Sequence, residues 1–131
     1  MKRDMDLIRE LLLKLEALPI GPGRLVGIRA SEPELAVDGF TADDISHHLW
    51  MLIDAGFLQV EGRGFNMSGE LLFRGITWSG HEFIGTIRDR EIWQKTKEAA
   101  KKGGTEAIEF VWEIAKAIGK NELKKRTGLE F

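Results

Sequence analysis

The stretch TADDISHHLWMLIDAGFLQV, Thr41 to Val60, has the form of a helix that runs straight into a strand. Thr41 followed by Asp44 is a capping-box start: the hydroxyl can accept a backbone N–H, and the acid suits the positive end of the helix dipole. At 100° per residue, Ile45, Leu49 and Leu52 fall within about 60° of one another and make a core stripe, with His48 and Ile53 at its flanks. The spacing predicts a helix to about Ala55, and Gly56 fits the left-handed position after it. FLQVE then reads as a strand, GRGFNMSG (Gly62–Gly69) as a glycine-rich turn and ELLFRGITW as a second strand. A helix followed by two strands joined in this way is the order of a recognition helix and its wing.

The opposite face of that helix carries Asp43, His47, Trp50, Met51 and Asp54. A helix that enters the major groove presents Arg, Lys, Asn or Gln there. This one has no lysine or arginine, and residues 31–61 hold seven acidic side chains and no basic one. The net −7 of that segment lies between a net +2 over residues 1–30 and a net +3 over residues 62–131. Phosphate binding needs the opposite sign. Three readings of the face stay open: Trp50 and Met51 are ordinary core, covered by the C-terminal helices, or they form a docking surface, since Trp and Met are enriched at protein interfaces, or the face itself contacts DNA. The functional expectation is a protein partner bound through this face. DNA is the alternative ligand, contacted by Arg63 on the wing and by Lys101, Lys102, Lys124, Lys125 and Arg126.

Upstream, Ile8, Leu11, Leu12, Leu15 and Leu18 give one buried stripe on a helix from Asp4 to Leu18, closed by Pro19, Gly21, Pro22 and Gly23. LVGI and ELAV, separated by Pro33, are short candidate strands. There is no room between Pro33 and Thr41 for a separate helix before the recognition helix. Downstream, Ser79 and Glu82 form an S-x-x-E box that predicts one helix through about Lys102, with Trp78 as a staple on Phe83. Gly103-Gly104 breaks it. Thr105 is read as the cap of a last helix, with Ile108, Val111, Trp112, Ala115 and Ile118 on one face. Gly119 is read as its end, and KNELKKRTGLEF as a basic, frayed tail.

These elements predict an α+β protein, mainly α with a small antiparallel sheet: a winged-helix-like core over residues 1–78 and a helical extension over residues 79–131, packed together as one compact domain. The apolar stripe of the last helix needs a cover: it can fold back or pair with a second copy, and of the two a homodimer through the C-terminal helix is expected.

The chain of 131 residues has no cysteine, which excludes disulfides and thiolate metal sites and fits a reducing cytoplasm. No apolar run approaches the ~18 residues of a membrane span, and charges interrupt the N-terminal apolar stretch, so neither a membrane location nor a secretory signal is expected. Asp43/His47 and Asp44/His48 have the i, i+4 spacing of a metal pair, but adjacent histidines point ~100° apart and no third ligand is placed. The glycine-rich turn leads to a strand and not to a helix N-terminus, which argues against a phosphate cradle. No base stands at recognisable spacing from Ser31, Ser46, Ser68 or Ser79. No catalytic residue, metal or cofactor is expected, and the protein is read as a non-enzymatic binding module.

Three blocks together, MKRDMDLIRELLLKLE (1–16), DDISHHLWMLIDAGFL (43–58) and ITWSGHEFIGTIRDREIWQKTKE (76–98), resemble a family of small bacterial and prophage-encoded proteins with a domain of unknown function. The resemblance covers roughly residues 1–102. It implies a winged-helix-like fold and a phage-linked setting, and no reaction.

Overall fold

A computed structural model describes residues 2–104 and 107–129. Within them lie five α-helices and a three-stranded antiparallel sheet, an α+β arrangement. The chain divides into two compact units, Met1–His81 and Glu82–Phe131.

In the first unit, α1 (Met5–Glu16) starts at Asp4, whose carboxylate accepts the Leu7 N–H at 3.0 Å. Its stripe, Leu7, Ile8, Leu11, Leu12 and Leu15, is buried. Each such side chain, fully buried, contributes about 1.5–3 kcal/mol. The stripe packs against α2 (Ala42–Asp54) and against β3 (Leu71–Ile76), the central strand of the sheet. β1 (Val26–Ile28) and β2 (Leu58–Val60) flank β3, with Ile28 opposite Leu71, Val26 opposite Phe73 and Leu58 opposite Ile76. The β2–β3 pairing shifts between Gln59 and Val60, a bulge at the mouth of the β2–β3 loop (residues 61–70), here labelled the wing. Ile28, Leu71, Phe73 and Leu58 are buried, as are Ile45, Leu49 and Leu52 of α2.

The capping box of α2 forms in both directions: Asp44 N–H donates to Thr41 Oγ1 at 3.1 Å, and Thr41 N–H to Asp44 Oδ2 at 2.9 Å. That backbone N–H of Thr41 holds the Asp44 carboxyl below its ordinary range. Gly56 follows the helix at φ 78°, the conformation expected for it.

Two expectations for this unit need correction. ELAV is not a strand: Pro33–Leu35 is one 3₁₀ turn, because Pro33 presets the first position and buried Leu35 anchors the turn against α1. No α-helix lies between β1 and α2, as the short span from Pro33 to Thr41 required. Trp78 is not a staple: the helix begins at Trp78 itself, and its ring is 81% exposed. The cap is Thr77, whose Oγ1 accepts the Gly80 N–H at 3.0 Å, while the Ser79 hydroxyl donates to the Gly56 carbonyl at 3.2 Å.

The predicted helix from Ser79 to Lys102 is two helices. α3 (Trp78–Ile87) stops, and α4 (Arg90–Lys102) starts anew at Asp89, whose Oδ1 accepts the N–H groups of Glu91 and Ile92. The second unit contains α4 and α5 (Ile108–Thr127), which pair as an antiparallel hairpin. Thr105, the expected cap of the last helix, lies outside the described residues. Gly119 does not end α5, which continues for two more turns to Thr127 before Gly128. Of the residues read as a frayed tail, those up to Thr127 are helical, and their charges are engaged with α4. Glu122 is 5% exposed and accepts from Lys95, with Lys125 and Arg126 also within 4.0 Å. Arg126 reaches Asp89 at 2.8 Å and Glu91 at 3.2 Å. The hydrogen bond from Arg126, aided by the Ile92 N–H, lowers the Asp89 carboxyl to about 2, and Lys95 likewise lowers Glu122.

Candidate functional site

The predicted interaction face lies in the first unit, and its residues are in unequal settings. Asp43, Trp50 and Asp54 are exposed, while His47 and Met51 are half-buried. At 1.5 Å rise per residue, Asp43 stands about 10 Å and Asp54 about 6 Å from Trp50 along the axis of α2. The indole is therefore bracketed by carboxylates on one helix face.

Trp50 is 38% exposed, and the groups that cover part of it belong to the wing. Its ring lies 6.2 Å from that of Phe65, tilted by 49°. Gly64 is pressed against the far edge of the indole; a Cβ there would overlap Cη2, Cζ2 and Cζ3. Gly64 also has φ 151°, a conformation that a residue with a side chain rarely adopts. Glycine at this position thus answers two demands, a close approach and a positive φ.

The wing is held by residues that sequence reasoning did not single out. Asn66 Oδ1 accepts from the Ser68 N–H, the Ser68 hydroxyl and the Glu70 N–H at 2.7–3.1 Å, an Asx-type turn. Arg29, just past β1, donates from Nη1 to the Ser68 carbonyl at 2.6 Å. The asparagine between glycines was a readable signal; the reach of Arg29 across 39 residues was not.

Between the wing and the N-terminal half of α2 opens a cleft of about 310 Å³. Ala42, Asp43, Ser46 and Trp50 line one side, Phe65 and Gly69 the other, and Arg29, Ala30 and Ser31 the end. The N-terminal half of the outer face of α2 is therefore one wall of a cleft, and Asp54 lies beyond it on the same face. The cleft offers a carboxylate, hydroxyls and two tilted aromatic rings.

The two histidines do not converge. Their rings are 5.7 Å apart at 86°, and His48 is buried with both nitrogens engaged. Nδ1 lies 2.7 Å from the Asp44 carbonyl, so it carries the proton and donates, and Nε2 accepts the Asp4 N–H at 2.8 Å. His48 thus joins the start of α1 to α2. Among the described residues no three His, Asp or Glu side chains are grouped to hold a metal ion.

The cations proposed for nucleic-acid contact are spread over both units. Arg63 is exposed on the wing, and Lys101 and Lys102 at the end of α4. Lys125 is exposed, Lys124 is half-buried, and Arg126 is committed to Asp89 and Glu91. Among the described residues no helix is long and apolar enough to cross a membrane.

No solved structure matches the chain at a significant level. A protein of Haemophilus influenzae (strain KW20 / Rd), described as uncharacterized, is 30% identical over 119 residues, covering 90% of this chain and 95% of the relative. The family model described as "Hypothetical protein (DUF2513)" matches residues 2–106, which include α1, the sheet, the wing and the whole α2 cleft. The chain belongs to the DUF2513 family.

Proposed function

We propose that the protein is a non-enzymatic regulatory module with a winged-helix-like core, which binds a protein partner through the cleft between α2 and the wing. The partner would be a host or phage factor, in keeping with the prophage setting that the sequence resemblance implies. The observation that carries the reading is the chemistry of α2: where a DNA reader needs cations, this helix exposes Asp43, Trp50 and Asp54 beside the ring of Phe65. Carboxylates facing phosphates oppose binding, whereas a partly exposed tryptophan in a cleft is the residue type that dominates protein interfaces. The order helix, strand, 3₁₀ turn, helix, strand, wing, strand supports the winged-helix-like description.

The test is affinity capture with the intact chain and with a Trp50→Ala/Asp54→Lys variant whose circular dichroism is unchanged. A partner identified by mass spectrometry with the native chain should be lost with the variant. Equal recovery by both proteins refutes the reading.

DNA is the second reading, favoured by the exposed Arg63 on the wing and by Lys101 and Lys102. It predicts a mobility shift of duplex DNA at physiological salt that Arg63→Ala weakens. For self-association, α5 exposes Phe110 at 61% and Leu123 at 45%, an apolar surface that a second copy would cover. Sedimentation of the native chain as a dimer, and of Phe110→Glu as a monomer, would support this; a native monomer would refute it.

A further inference from the structure

The aromatic cleft beside α2 has a polarity along its length, and that polarity bears on what it holds. Trp50 and Phe65 present two rings inclined at 49° with centroids 6.2 Å apart. Trp50 is 38% exposed, so part of it is open to a ligand. Aromatic faces attract cations as well as apolar groups, and tryptophan does so most strongly. Along α2, Asp43 and Asp54 lie on either side of the indole, both exposed. Neither carboxylate has a basic neighbour in sequence, because residues 31–61 contain no lysine or arginine. Of the residues that line the cleft only Arg29, at its end, is cationic, and its guanidinium donates to the Ser68 carbonyl. The α2 wall is thus negative and aromatic, while the opposite wall, Phe65 and Gly69, carries no charge.

We propose that the occupant of this cleft is a basic polypeptide segment lying along α2, with one arginine or lysine on the Trp50–Phe65 rings and flanking cations on Asp43 and Asp54. This rests on the protein-partner reading above and names the chemistry of that partner. The two carboxylates are about 16 Å apart along the helix axis at 1.5 Å per residue. An extended segment spans that distance in about five residues, and a helical one in about eleven.

The experiment titrates the ¹⁵N-labelled intact chain with a blocked hexapeptide that has arginine at both ends and at one central position, the rest serine and glycine. A peptide with glutamate at the same three positions is the comparison. The arginine peptide is expected to shift the amide signals of α2 and the wing, including the Trp50 indole N–H. Its affinity should fall about tenfold in an Asp43→Asn/Asp54→Asn variant, and should weaken as salt is raised. A Glu34→Gln/Asp38→Asn variant removes two acids of the same segment away from the cleft and is expected to bind within about twofold of the native chain. Equal binding of both peptides, an undiminished Asp43/Asp54 variant, equal losses in the two acid variants, or shifts confined to α4 and α5 would each overturn the proposal. If no arginine peptide binds while Trp50→Ala/Asp54→Lys still loses a captured partner, the cationic chemistry is wrong and the partner reading survives. If the captured partner is also retained, both are wrong.

Discussion

Replacing His48 by phenylalanine isolates the two hydrogen bonds made by a fully buried imidazole while keeping the volume nearly constant. In the native chain Nε2 accepts the Asp4 N–H at 2.8 Å, and the Nδ1 proton goes to the Asp44 carbonyl at 2.7 Å. The Asp44 carbonyl keeps its partner in the variant, because the helical i→i+4 bond from the backbone of residue 48 remains. The Asp4 N–H does not. It precedes α1, is part-buried, and would lose its acceptor. An unsatisfied buried donor costs about 1–3 kcal/mol, and the loss of one ordinary hydrogen bond about 1 kcal/mol, so His48→Phe should destabilise by about 2 kcal/mol. For a chain of this length that is roughly 7 °C in melting temperature. His48→Ala should cost more, about 3–5 kcal/mol, because it adds a cavity to the same loss. Urea unfolding followed by circular dichroism measures both, and hydrogen exchange at the Asp4 amide reports the broken contact directly. A His48→Phe variant within about 0.5 kcal/mol of native, with the Asp4 amide still protected, would show that the imidazole does not pin α1 to α2.

Three further outcomes follow from the geometry. Gly64→Ala places a methyl into the Trp50 indole at φ 151° and should destabilise by about 1–3 kcal/mol, with faster hydrogen exchange in the wing; Trp50→Ala relieves only the overlap, so the double variant should recover part of the loss and not all of it. Thr41→Ala removes the acceptor of the Asp44 N–H and should cost about 1 kcal/mol in thermal or urea unfolding. The Asp89 carboxyl is depressed to about 2 from 3.8 by Arg126, so its stabilisation of the α4–α5 hairpin is fully present above about pH 4 and is lost as pH falls toward 2. Helical circular dichroism between pH 5 and 2 should fall less steeply in Arg126→Gln, and an identical profile in the two proteins would count against that linkage.

What the sequence made legible was periodic or capped. The stripes Ile8–Leu15 and Ile45–Leu52 found the helices of the first unit, and Thr41 with Asp44 found the start of α2 to the residue. The glycine-rich turn found the loop between β2 and β3. The misses have two causes: a local cap other than the one expected, and contact between residues distant in sequence. Ile84, Ile87 and Trp93 continue an apolar pattern through the break at Asp89, and no glycine or proline marks it. The signal present was Asp89 followed by Glu91, an acidic helix start. Gly119 costs roughly 1 kcal/mol relative to alanine inside a helix, yet the ion pairs of Glu122 and Arg126 with α4 carry α5 past it. Ser79 and Glu82 matched a capping box that Thr77, two residues earlier, had already supplied. For the cleft, the α2 wall was readable from helical spacing. The wing wall was not, because nothing in sequence tells which loop residue will rest on Trp50.

The lodging of Gly64 and Phe65 against the Trp50 indole also supplies an intrinsic optical readout. Of the four tryptophans, Trp93 and Trp112 belong to the second unit and Trp78 is already bathed in solvent. Lifting the wing would therefore change the surroundings of Trp50 in particular. With the other three replaced by phenylalanine, a red shift in its emission would track the wing as it moves away, with no label attached.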